Sequence, residues 1–150
     1  MSLLNVLGLS ILPISELRGG IPLGIAQGLN PILVFLVAVL SNILVIPIVF
    51  FFLDNIHGYF NKITLYRNIF DSYVERSRSK LESKIGTKTE FLALMLFVGV
   101  PLPVTGAYTG SILAWFFNIN RKKAYLAVMS GVILSGVIVT SASIGLFSLF

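Results

Sequence analysis

The sequence predicts an all-α integral membrane protein, and three observations predict it. Charged residues are 11% of the chain and hydrophobic ones 56%, with a mean hydropathy of +0.94; a soluble domain carries roughly 25% charged residues. Two uncharged runs, Pro31 to Leu53 and Ala124 to Phe150, reach the ~20 residues that a helix needs to cross hydrocarbon. Two further apolar runs are half that length, and each ends at a cluster of proline and glycine. At 150 residues a single membrane domain, 1–150, is expected.

The first short run, Ser2 to Leu12, makes about 16 Å of helix at 1.5 Å per residue, half of a ~30 Å hydrocarbon core. It lacks a basic start, and Glu16 and Arg18 interrupt its continuation, so it does not read as a signal peptide. The stretch from Pro13 to Pro22 follows, holding Gly19 and Gly20, and then a short apolar piece to Gly28. The second short run, Phe91 to Val100, meets Pro101-Leu102-Pro103-Val104-Thr105-Gly106 and resumes from Tyr108 to Phe117. Proline lacks an N–H and clashes with the preceding turn, and glycine permits tight reversals. Each short run therefore reads as one arm of a hairpin that enters the bilayer and returns.

Charge placement orients these pieces. Of the eleven lysines and arginines, seven lie between Lys62 and Lys88 and three form Arg121-Lys122-Lys123. If Phe91 to Phe117 crossed fully, those clusters would face opposite sides, against the positive-inside bias. Re-entry keeps both cytoplasmic. The expected order is hairpin and span (1–53), a cytoplasmic linker (54–90), then hairpin and span (91–150), with both termini external in a multi-pass plasma-membrane protein. That is an inverted-topology repeat, the two tips approaching from opposite leaflets.

In the linker, Ile63, Tyr66, Phe70, Tyr73, Val74, Leu81 and Ile85 fall near helical spacing among cations. This predicts a cytoplasmic amphipathic helix on the inner leaflet, with anionic lipid as partner to the Lys62–Lys88 region. Basic clusters flanked by such apolar runs do not point to nucleic acid. The chain has no cysteine and one histidine. His57 follows a span and reads as interfacial, and no phosphate loop, nucleophile–base set or metal spacing occurs. No enzyme activity, cofactor or metal is expected.

Irregular backbone at membrane depth is tolerated only against protein or a watery cavity, so the two tips should share a polar site. Glu16 and Arg18 are the only charges in the membrane-embedded part, and intramembrane charges are functional by default. Glu16 reads as a protonatable carboxylate, with Arg18 as its counter-ion or an anion ligand; the structural alternative is an ion pair that fixes the tip. Gly19, Gly20 and Pro22 complete that tip. Pro101, Pro103, Thr105 and Gly106 shape the other, where Thr105 either lines the site or caps the following helix. Tyr108 points to the cavity or anchors at an interface. Asn42, near the centre of the first span, must face protein. Ala127, Gly131 and Ser135 form a small-residue ridge for close helix packing, and the thin wall of four membrane elements leaves room for a homodimer.

With both tips in view, Ser15-Glu16-Leu17-Arg18-Gly19-Gly20-Ile21-Pro22 and Val100-Pro101-Leu102-Pro103-Val104-Thr105-Gly106-Ala107 together resemble the small multidrug export protein family. That family is a short relative of the DedA/SNARE-associated (VTT) membrane protein superfamily. The resemblance covers nearly the whole chain. It implies two facing re-entrant hairpins, and a group linked to proton-dependent transport, lipid-carrier flipping and lipid scrambling. Its acidic hairpin residue carries over onto Glu16. Larger relatives place an arginine after the second hairpin; here Tyr108 to Asn120 has none and Arg121 is the first candidate. The function expected is a transporter or flippase moving a small or lipid-linked substrate through a midplane site, driven through protonation of Glu16. The alternative is an uncoupled lipid scramblase or membrane-organising protein.

Overall fold

The computed structural model describes residues 2–102 and 105–150, all helix, turn or irregular chain. The helices are α1 (Leu3–Ile11), α2 (Glu16–Ala26), α3 (Pro31–Asn55), α4 (His57–Phe60), α5 (Thr64–Arg78), a 3-10 turn at Glu82–Lys84, α6 (Glu90–Gly99), α7 (Ala107–Phe116) and α8 (Arg121–Phe147). Among the described residues α3 and α8 are long and apolar enough to cross a membrane.

The two long helices begin alike. Asn30 caps α3, its Oδ1 accepting from Ile32 N and Leu33 N, and Asn120 caps α8 through Lys122 N and Lys123 N. Asparagine is among the best N-caps because its oxygen meets backbone N–H groups that have no partner in the first turn. The preceding turns also match. Gly28 and Asn118 take positive φ, and Leu29 N and Ile119 N bond back to Gly24 O and Ala114 O. Both are helix ends closed by a left-handed residue.

Helices α3 and α8 pack antiparallel. Gly136 lies against Phe35 and Val39 near the start of α3. At the other end the Phe50 and Tyr125 rings stack at 5.7 Å, and Arg121 reaches Asp54 at 3.0 Å while lying over the Phe50 ring. The small-residue ridge of α8 serves packing within the chain: a Cβ on Gly131 would sit 2.6 Å from Met95 O of α6.

Each pair of short helices doubles back. At one end of the bundle Lys123 binds Glu90 at 3.0 Å, and Trp115 Nε1 donates to Asp54 Oδ1 at 3.0 Å. The start of α6 and the end of α7 therefore sit beside the same end of α3 and α8. Helix α2 folds onto α1 through Gly20, where a Cβ would lie 3.0 Å from Val6 O. The reversal is narrower than the sequence implied. It occupies Leu12 to Ser15, and Arg18, Gly19, Gly20 and Pro22 all lie within α2. Glycines there permit close helix approach rather than a turn.

Outward from this core, Leu33, Leu36, Leu40, Leu44, Ile48 and Phe51 form an exposed stripe along α3. An apolar stripe of that length belongs against lipid. Helix α5 is shorter than the amphipathic pattern and packs on the bundle, burying Val74 and Ser77. His57 joins α4 to α5 and α7: its Nδ1 lies 3.0 Å from the Tyr66 hydroxyl, and its ring meets Phe70 at 4.4 Å and Trp115 at 5.3 Å.

Burial pulls the His57 pKa below the ordinary 6.5, the Asp71 charge opposing it. The unfolded segment thus takes up a proton before the folded one. Stability of the α4–α5 packing should be full above pH 6.5 and fall as pH drops from there to the folded value. Hydrogen exchange of α5 amides should speed up across that window in the parent chain and not in His57→Gln. Identical pH profiles would refute this.

Candidate functional site

The short helices leave broken ends inside the bundle, and the polar side chains converge on those ends. An α-helix terminates with four C=O groups that lack intrahelical partners and begins with four such N–H groups. In apolar surroundings each costs several kcal/mol unless satisfied.

Arg18 projects from the first turn of α2 to the chain leaving α6. Its Nη1 donates to Leu102 O at 2.5 Å, and its Nη2 to Thr105 Oγ1 at 3.1 Å, with Val98 O and Val100 O at 3.5 Å. A guanidinium has five donors in a fixed fork, which suits several carbonyls splayed at a helix C-terminus, where the dipole also favours a cation. Thr105 supports the arrangement, donating to Leu102 O at 2.8 Å with Val100 O also in reach at 3.1 Å. It does not cap α7.

That cap comes from Glu16. The carboxylate accepts from Ala107 N at 3.4 Å and Tyr108 N at 3.3 Å, an anion at the positive end of a helix. Two backbone features make room for it. Glu16 has φ +47°, the left-handed region that non-glycine residues rarely adopt. Gly106 has φ +153°, and a Cβ there would lie 2.7 Å from the carboxyl carbon of Glu16. Glu16 and Arg18 thus make no direct ion pair. Each meets one broken end of the opposite helix pair, and their opposite charges attract through space without a contact pair.

The end of α1 is met in the same manner. Ser15 Oγ donates to Leu9 O at 2.5 Å, Asn42 Nδ2 donates to Ser10 O at 2.8 Å, and the Tyr108 hydroxyl donates to Ile11 O. Asn42 is fully buried and serves α1 from α3. Tyr108, on the second pair, reaches the first, as Arg18 on the first reaches the second.

Beside these caps lies a cleft of about 430 Å³, walled by Pro13, Glu16, Arg18, Tyr73, Pro101 and Thr105. Of the residues singled out from sequence, Glu16, Arg18, Pro101 and Thr105 line it, and Gly106 and Tyr108 adjoin it through Glu16. Gly19 and Gly20 pack on Ser15 and α1. Pro22 faces a separate apolar groove with Pro101, Ile138 and Leu146. Pro103 lies outside the described residues. Arg121 is held by Asp54 at the end of α3, away from Glu16. The cleft also takes Ile14, Ser15 and Leu102 from the two tips and, from outside them, Tyr73 of α5, whose hydroxyl bonds Thr109 Oγ1, and Thr109 itself. In sequence Tyr73 falls on the apolar face of the linker pattern, and its hydroxyl is the signal for a place in the cleft.

The capping geometry yields a ranking. Hydrogen bonds to charged groups contribute about 1.5–3 kcal/mol each and neutral ones about 1. Arg18→Gln should therefore cost about 3 kcal/mol or more, and Tyr108→Phe about 1 kcal/mol. Gly106→Ala should also destabilise by about 1–3 kcal/mol, because its methyl displaces the Glu16 carboxylate. Thermal unfolding in detergent checks the order, and an Arg18→Gln protein as stable as its parent would sink it.

Comparison with known proteins places residues 16–138 within the family model described as "Putative small multi-drug export protein". No curated protein and no solved structure matches the chain.

Proposed function

The chain belongs to the small multi-drug export protein family, and from that premise we propose that it is a membrane transporter. A small or lipid-linked substrate passes through a midplane site between two opposed re-entrant hairpins, α1–α2 and α6–α7. The family's name suggests export, and the two long apolar helices fit a membrane location. The hairpins enter from opposite leaflets. This is supported by the antiparallel α3 and α8 and by the matched turns at Gly28–Asn30 and Asn118–Asn120. The basic end, holding Arg121-Lys122-Lys123, is cytoplasmic by the positive-inside bias, and both chain termini are external in the plasma membrane.

One observation carries this reading: the charges of the first hairpin are the caps of the second, and both line the cleft. As an anion Glu16 accepts two backbone N–H groups and holds α7 against α2. Once protonated it loses the charge-assisted part of those bonds, roughly half their strength, and the start of α7 is freed. A substrate group that donates to Glu16 or accepts from Arg18 competes for the same bonds. Occupancy and protonation then act on one joint between the hairpins, which is what alternating access through a midplane site requires. Transport, not bond-making chemistry, is the activity assigned.

A second reading has its own observation. The apolar groove of about 220 Å³ lined by Pro22, Pro101, Ile138 and Leu146 shares Pro101 with the polar cleft. A headgroup in the cleft with its chain in that groove describes an uncoupled lipid scramblase.

Reconstitution separates the two. Proteoliposomes holding dye-labelled lipids or cationic dyes should show flux that responds to a pH gradient, and Glu16→Gln should abolish that response while the protein stays folded. Flux that ignores the gradient in both proteins favours the scramblase, and no flux of any probe defeats both readings.

A further inference from the structure

Helix α5 belongs to neither hairpin, yet it supplies a wall of the cleft. Its Tyr73 hydroxyl bonds Thr109 Oγ1 of α7. On the far side of the same tyrosine a second groove, about 370 Å³, runs along α5 past Asn68, Ile69, Ser72, Tyr73 and Arg76. Asn68, Ser72 and Arg76 are spaced four apart and share one helix face. None of these three side chains has a hydrogen-bond or ion-pair partner among the described residues. An amide, a hydroxyl and a guanidinium thus stand as unused donors beside the phenol of Tyr73, which bonds Thr109. Next to them Leu65 and Ile69 are 71% and 62% exposed, an apolar edge beside a cationic, donor-rich hollow.

We propose that this groove binds the phosphate headgroup of an anionic lipid, its acyl chain lying along Ile69 and Leu65, and that the bound headgroup releases α5 from the cleft. The chemistry selects the ligand. Three free donors beside a phenol, with no carboxylate in the lining, suit a phosphate, the exposed aliphatics suit a chain, and a surface helix of this kind meets both in one leaflet. The release follows from competition. Either hydroxyl can be the donor in the Tyr73–Thr109 bond, and Tyr73 has one proton to give; once a phosphate oxygen takes that proton, Thr109 holds the ring only by donating to it, and the latch between α5 and α7 weakens. The proposal rests on the reading that the α5 end of the bundle faces the inner leaflet, and it adds a lipid-operated cover to the transport site.

Because the chain has no cysteine, spin labels at Glu75→Cys on α5 and Lys122→Cys on α8 report the latch directly. Distances are measured by pulsed electron resonance in nanodiscs of phosphatidylcholine with increasing phosphatidylglycerol. We expect one short distance in pure phosphatidylcholine and a longer one that grows with phosphatidylglycerol. Tyr73→Phe should show the longer distance without anionic lipid. A basic residue near a membrane contributes about 1 kcal/mol, or roughly fivefold, so Lys80→Gln should raise the half-maximal phosphatidylglycerol fraction by no more than that. Arg76→Gln should raise it about tenfold or more, since a direct charge-assisted bond is lost. Equal shifts in the two variants would reduce the effect to diffuse attraction and overturn the groove. So would distances indifferent to lipid charge. Inorganic phosphate reproducing the longer distance in pure phosphatidylcholine would replace the lipid by a soluble anion. The readout is a distance and not a flux, so a failure of the transport reading leaves these outcomes interpretable.

Discussion

Backbone polarity at the broken helix ends governs this structure. A helix that stops halfway through an apolar bundle exposes carbonyls or amides with no water to take them. The chain does this at α1, α6 and the start of α7. At α1 the carbonyls of Leu9, Ser10 and Ile11 are taken by three neutral donors from the turn, α3 and α7. At α6 and α7 the ends are met by charges instead. A cation serves the negative end and an anion serves the positive end, so helix dipole and side chain reinforce each other. Burying two charges near one another is costly when each lacks hydrogen bonds. Here Glu16 and the two terminal nitrogens of Arg18 are separately hydrogen-bonded, chiefly to backbone, which is what permits them inside.

The two halves of the chain carry matching residues at several places and differ at the joint. Equivalent places along each half carry Gly28 and Asn118, Asn30 and Asn120, Gly20 and Gly110. The same correspondence pairs Arg18 with Tyr108, and each crosses to the broken helix of the other half. It also pairs Glu16 with Gly106, and there the match ends for a steric reason. A side chain at Gly106 would occupy the space of the Glu16 carboxyl group. Only one of two facing carboxylates can fit between the pairs. The joint therefore has one acid, and any protonation-driven step acts on α7 and not on α2.

Much of this was legible in the sequence. The long helices and the breaks near Pro13 and Pro101 follow from run length and proline chemistry, and the rarity of charge singles out Glu16 and Arg18. What could not be read was partner choice. From sequence alone Arg18 has Glu16 as its nearest opposite charge, two residues away; its actual acceptors are Leu102 O and Thr105 Oγ1 in the second half. Local spacing carries no information about a contact so distant. Gly19 and Gly20 misled in another way. Glycine signals a turn or a close approach equally well, and only the position of α1, with Val6 O beside Gly20, decides between them. Arg121 shows the converse. Its basic neighbours speak only to membrane side, while its ion pair depends on where α3 ends, at Asp54.

A residue that both closes a helix and faces a cleft cannot have its two duties separated. Removing Glu16 or Arg18 would expose backbone groups as well as empty the site, so loss of activity alone would not distinguish support from substrate contact. Glutamine at position 16 is informative because the isostere keeps an acceptor for one of Ala107 N and Tyr108 N, which bond different carboxylate oxygens, while surrendering the charge. The same duality bears on the transport reading. The bundle has few layers through which strain could spread. On that reading, a ligand that draws on Arg18 or Glu16 would draw directly on the ends of α6 and α7, because those side chains are the caps.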